Sequence, residues 1–203
     1  IKNGKYLLEF IIFTKTNIIF QVQPYQPHHK DIWDKFLKVS TCGLFLFQRA
    51  FMDYHSDRFQ DHSLLIFKDK ILEAVFPANL LDQRVYSHQG LTFGGLICNR
   101  PMSLDNLNTI MKLVIHYYKS NKIKSLYIKL IPNFFDESFF RKFEKSLQYL
   151  TAENRYNDRT MVVDLESYMI HKSKLKRFRR YADYGFEIFK TTDFEPFWNT
   201  VLI

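Results

Sequence analysis

"SHQGLTFGGL", Ser87 to Leu96, holds three of the six glycines in a chain of 203 residues, yet Val85-Tyr86 before it and Ile97-Cys98 after it have strand composition. Glycine in a strand gives up side-chain packing and costs backbone entropy, so a glycine-rich strand marks a bulge, a bend or the close approach of another group. The stretch therefore reads as part of a strand or strand pair running from Arg84 to Cys98. Gly94 and Gly95 are its candidates for a place where backbone or ligand comes close to the sheet. A bulge there would turn strand N–H and C=O groups toward whatever approaches.

Periodicity supplies the neighbours. Upstream, Asn17 to Tyr25 alternates as a strand, "KDIWDKFLKVS" spaces Ile32, Trp33, Phe36 and Leu37 as a helix, and a second short helix is predicted from Gln48 to about Ser56. "SLLIFKDKILEAVFPA" reads as two strands turning at Asp69, and with the glycine strand they form an antiparallel meander. Downstream, Ser103 caps a helix with Leu104, Leu107, Ile110, Met111, Val114 and Tyr118 on one stripe. A strand over Ser125 to Pro132, a helix in "DESFFRKFEKSLQYL" and a last strand in "NRYNDRTMVVDL" follow. The fold class is α/β, with a mixed sheet of the α+β type and helices on both faces.

Composition bounds the rest. With 46% hydrophobic and 17% aromatic residues the chain can bury a sizeable core. Cys42 and Cys98 lie in apolar surroundings and read as buried small hydrophobes in a cytoplasmic, reducing setting. "YLLEFIIF" is too short to span a bilayer, and residues 1–16 read as an N-terminal extension. The net charge of +8 is uneven: Lys172, Lys174, Lys176, Arg177, Arg179 and Arg180 place six cations in nine residues. On the helix expected from His171 to about Asp183, Leu175, Phe178 and Ala182 form a stripe expected to be buried. Arg177 and Arg180, three apart, are placed to grip a phosphate. The seven histidines show no metal-ligand spacing, and no metal is expected. His88, beside the glycines, is the candidate proton acceptor. No nucleophile elbow and no Cys–His pairing occur in the sequence, so the residues offer no protein nucleophile of either kind.

The element order resembles the GNAT N-acetyltransferase fold. "FLFQRAFMDYHSDRF", "LLIFKDKILEAVFPA", "YSHQGLTFGGL", and "KLKRFRRYADYGFEI" followed by "FEPFW" resemble its FemAB-like branch more closely. The resemblance runs from about Phe20 to the end of the chain. It implies two adjacent central strands that splay apart around an acyl donor, and a second domain of the same kind. On that reading, residues 17–168 form the first GNAT-like domain, and 169–203 the basic helix and the start of a second, truncated one. Tyr54 and His55 end the helix that lines the acceptor groove in this branch. The pyrophosphate-binding loop of coenzyme A users would fall in "CNRPMSLD", which has no glycine and loses an amide donor at Pro101. Asn99 and Arg100 are the residues left there to meet a cofactor. The resemblance implies no permanently bound cofactor, acyl-CoA or aminoacyl-tRNA as donor, and a small molecule or a cell-wall or lipid precursor as acceptor, with tRNA as a further partner. The competing expectation is a catalytically degenerate module that binds RNA or a partner protein through the basic helix.

Overall fold

The computed structural model describes residues 20–156, 161–182, 184–185 and 190–201. The extension expected over residues 1–16 lies outside the described residues. The chain divides into two compact units, 1–157 and 158–203.

In the first unit, β1 (Phe20–Pro24), β3 (Leu64–Lys68), β4 (Ile71–Phe76) and β7 (Ile97–Cys98) form an antiparallel sheet in the order β1-β3-β4-β7. A second sheet, in the order β2-β5-β6-β8, joins β2 (Gln60–Asp61), β5 (Asn79–Leu81), β6 (Arg84–Tyr86) and β8 (Ser125–Tyr127), and its β6–β8 pair is parallel. The tight β3–β4 turn uses Asp69 and Lys70, both left-handed, which matches the right-handed twist of the strands it joins.

The period-two alternation of the first sheet sorts its side chains onto two faces. Leu64, Ile66, Ala74 and Phe76 join one core cluster with the helices α3 (Leu104–Ser120) and α4 (Glu137–Tyr149). Leu65, Val75 and Ile97 join the other with α1 (Lys30–Lys38) and α2 (Arg49–Asp53). Helices thus cover both faces, as the α/β expectation required. α3 begins where expected: the Ser103 hydroxyl accepts from the Asn106 amide at 3.2 Å, and Leu107, Ile110, Met111, Val114 and Tyr118 are buried. Leu104, counted on that stripe, is exposed because it sits in the first turn.

Other expectations change. The glycine stretch is not a strand; it is an irregular run between β6 and β7. Only Ser125–Tyr127 of the expected strand pairs regularly, and the expected helix from Gln48 to Ser56 is α2, Arg49–Asp53. No described residue of 154–165 is in a strand.

In the second unit, α5 (Lys172–Ala182) and α6 (Glu195–Val201) are the described helices. Every residue between 161 and 201 whose burial is described is exposed. The stripe expected to be buried on α5 is open to solvent, with Leu175 38% and Phe178 63% exposed. No described helix is long and apolar enough to cross a membrane.

Candidate functional site

The site grows out of the way the glycine stretch leaves its neighbour. β6 runs parallel to β8 from Arg84↔Ser125 to Tyr86↔Tyr127. The pairing continues irregularly: Ser87 N donates to Tyr127 O (2.8 Å), Lys129 N donates to the Ser87 hydroxyl (2.9 Å), and Gly94 N donates to Lys129 O (2.7 Å). The last contact is a parallel bridge, Gly94↔Leu130. Beyond it the two runs part. Ile97 and Cys98 turn to pair with Val75 and Ala74 of β4, while Leu130 leads through Ile131 and Pro132 to α4. Among the described residues, β7 is therefore the outermost strand of its sheet, and no described strand lies beside the edge it turns away from β4.

A crevice opens at the parting. One chamber, about 10 Å³, lies among Gly94, Leu96, Leu130, Phe139 and Phe143. A second, about 20 Å³, lies among Leu96, Ile97, Cys98, Arg100 and Pro101. Both are bounded by Cys42, Asp136 and Phe139. Each chamber holds about one water. The walls are mostly apolar, with Asp136 in both and Arg100 in the second, and the half-buried rings of Phe139 and Phe140 from the first turn of α4 line the first.

The glycines have specific reasons. A Cβ on Gly94 would lie 2.2 Å from the Ser87 carbonyl oxygen, so the run folds back on itself where only glycine fits. Gly95 has φ +108°, a conformation that favours glycine, and a Cβ there would meet Ile128 at 3.1 Å. The close approach read from the sequence exists, but the approaching group is the chain's own backbone. The Gly94 amide already donates to Lys129 and is not open to a substrate.

Asn99 and Arg100 lie between β7 and the capped start of α3. Arg100 forks onto Glu73, with Nε 2.9 Å from Oε2 and Nη2 on Oε1. Glu73 is buried and Arg100 exposed, so the guanidinium covers a carboxylate that would otherwise be buried without a partner. The Asn99 side-chain oxygen is buried with no partner.

His88 and His55 come together in a second cluster. His88 is left-handed (φ 73°), only 5% exposed, and its Nδ1 has no partner. Its ring packs against Phe59 at 5.4 Å, and Phe59 packs against His55 at 6.3 Å. Burial lowers the His88 pKa to about 4; Arg49 and His55 push the same way, against Asp61. The ring is therefore neutral at pH 7. His55 is in contact with Arg58 and stands 5.0 Å from the exposed ring of Tyr54.

Arg49 organises this cluster, and sequence reasoning missed it. Its guanidinium, 3% exposed, donates from Nη2 to Asp53 (2.5 Å) and Asp61 (2.7 Å), and lies 3.7 Å from the centre of the Tyr25 ring. Its backbone amide donates to Asp34 at 2.8 Å. Nε and Nη1 have no partner. The one local signal was the Arg49–Asp53 spacing of four; Asp61 and Tyr25 join only through the tertiary fold.

Cys42 and Cys98 are buried and free. Burial raises both thiol pKa values, that of Cys98 far above the usual range, so neither is a thiolate nucleophile. Arg177 and Arg180 share one face of α5 in the second unit.

No protein-family model and no curated protein matches this sequence. Among solved structures, a similar chain is that of the aminoglycoside N-acetyltransferase AAC(6')-Iy in complex with coenzyme A. The TM-score is 0.46 at 11% identity, over 75% of this chain and 98% of that one.

Proposed function

We propose that this chain is an N-acyltransferase of GNAT type in its FemAB-like form. It would move an acyl or aminoacyl group from an activated ester or thioester to an amine of a small molecule or a cell-wall or lipid precursor. The observation that carries this reading is the parting at Gly94 and Leu130, which leaves the edge of β7 without a described strand partner beside a mostly apolar crevice. An extended acyl arm laid along that edge gains backbone hydrogen bonds as an added strand would. Its carbonyl then faces the crevice and its leaving group the end near Asn99.

The amine nitrogen attacks the carbonyl carbon, the C–N bond forms, and the C–S or C–O bond breaks. The proton leaving the nitrogen ends on the departing thiolate or alkoxide. Direct attack needs no protein nucleophile, and burial raises the pKa of both thiols. His88, neutral and enclosed against Phe59, stands beside the glycine run, and Tyr54 and His55 would line the acceptor side. Positioning of this kind contributes roughly 7–11 kcal/mol to a barrier without further catalytic groups. Entry of an acyl group requires the rings of Phe139 and Phe140 to swing outward from the crevice.

Incubation of the chain with acetyl-CoA or with aminoacyl-tRNA and a panel of amines tests the reading. The expected result is amine-dependent loss of one donor with formation of the matching amide, and faster turnover in Phe140→Ala, which widens the entrance. Absence of amide product from both donors, together with absence of saturable donor binding by calorimetry, would sink it.

A further inference from the structure

α5 carries two surfaces that are seldom left in water together. Leu175 and Phe178, three residues apart, lie within about 60° of arc on the helix and are 38% and 63% exposed. Lys174 and Arg179 flank this stripe, and Lys172, Lys176, Arg177 and Arg180 fill the rest of the circumference. Tyr181 is 45% exposed beside them. No Asp or Glu occurs between Glu166 and Asp183, so neighbouring sequence supplies no counter-charge.

We propose that α5 is an interfacial helix that seats this chain on an anionic lipid bilayer, whatever reaction the first unit performs. Three occupants can be compared by charge and by what they leave uncovered. A second copy brings the same six cations on a chain of net charge +8, so α5 finds no complement in α5 and an unfavourable net charge overall. An RNA backbone neutralises the cations but leaves Leu175 and Phe178 in water. An anionic bilayer takes both surfaces. The apolar stripe enters the boundary between headgroups and acyl chains, while the long stems of Lys174 and Arg179 on either side carry their charges up to the lipid phosphates. The remaining cations face the negative surface potential, which attracts each of them.

The test is co-sedimentation of the whole chain with vesicles of phosphatidylcholine containing phosphatidylglycerol, against vesicles of phosphatidylcholine alone, with near-UV circular dichroism of each variant as the folding control. At low salt, partitioning onto the anionic vesicles is expected to be at least about 10-fold stronger, and to fall steeply toward about 0.5 M salt. Arg177→Glu with Arg180→Glu is expected to abolish the preference for anionic lipid. Phe178→Ser, which changes no charge, is expected to weaken binding about 10-fold. Lys176→Glu serves as the second charge variant should the double variant lose its near-UV signal. Equal binding to neutral vesicles, no vesicle binding, or binding that Phe178→Ser leaves unchanged overturns the proposal. So does duplex RNA that competes the chain off anionic vesicles at equal phosphate concentration, which would make the cations an RNA surface.

Discussion

α3 and α5 are both amphipathic helices, and they differ in what happens to the apolar stripe. α3 lays Leu107, Ile110, Met111 and Val114 against the sheet face formed by Leu64, Ile66, Ala74 and Phe76, and all four are fully enclosed. α5 leaves Leu175 and Phe178 in solvent and surrounds them with cations. Amphipathic spacing states that a face needs covering and leaves open what covers it. For α3 the cover is the chain's own sheet, and the energetic consequence is local and large.

Truncation separates the two helices most sharply. Ile110→Ala removes a fully enclosed side chain and leaves a cavity, and is expected to cost about 2–5 kcal/mol. Phe178→Ala removes a larger side chain but an exposed one, and is expected to stay within about 0.5 kcal/mol. Urea denaturation of both variants, followed by near-UV circular dichroism, measures the difference. If the two cost the same, either the α3 stripe is not a core or the α5 stripe is covered.

Acid sharpens the comparison next, because it acts on a buried group of the first unit. The folded pKa of His88 lies near 4, below the ordinary value of about 6.5 that it regains on unfolding. As pH falls below about 6.5 the unfolded chain takes up the proton first, so stability declines through the interval and levels off once pH passes below about 4. Above about 6.5 this group contributes no slope. The expected loss between pH 7 and 4 is on the order of 3 kcal/mol. His88→Asn keeps a residue that tolerates the left-handed backbone at this position and is expected to flatten that part of the pH profile. A variant with the wild-type slope would show that other groups govern acid sensitivity.

Much of the first unit is written in local pattern. Ser103 announces α3, Asp69 marks the turn between β3 and β4, and alternation from Leu64 to Phe76 sorts the two faces of the sheet. The same pattern could not show the Arg49 cluster, because its partners Tyr25 and Asp61 are brought in from 24 residues before and 12 residues after by the packing of β1 and β2. It also misread Ser87 to Leu96. Flanking strand composition suggested a strand or strand pair, whereas the Gly94 backbone folds against the Ser87 carbonyl, a contact with no sequence period. The crevice was legible only as a consequence of the family resemblance, and its narrowness depends on how Phe139 and Phe140 pack. The Leu175–Phe178 stripe was legible as a stripe, but burial was assumed where no described residue of the unit supplies it.

The smallest effects bear on how each helix starts. α3 opens with a serine whose hydroxyl takes the Asn106 amide and has Asp105 in its first turn, so charge and hydrogen bonding both favour its positive end. Ser103→Ala is expected to cost about 1 kcal/mol of stability. α5 opens instead with Lys172 and Lys174 and has no acid in its first turn, which places like charge on the positive end of the dipole. Lys172→Glu is therefore expected to raise the stability of α5 by about 0.3–1 kcal/mol, read as increased helicity of a 166–190 peptide by far-UV circular dichroism. The same change should weaken attachment to anionic vesicles, because a cation that disfavours the isolated helix favours it at a negative surface. Helicity and vesicle binding moving in opposite directions under one substitution would indicate that α5 is shaped for its partner at some expense to itself. Helicity and binding falling together would mean that Lys172 supports the helix directly, and the dipole argument would fail.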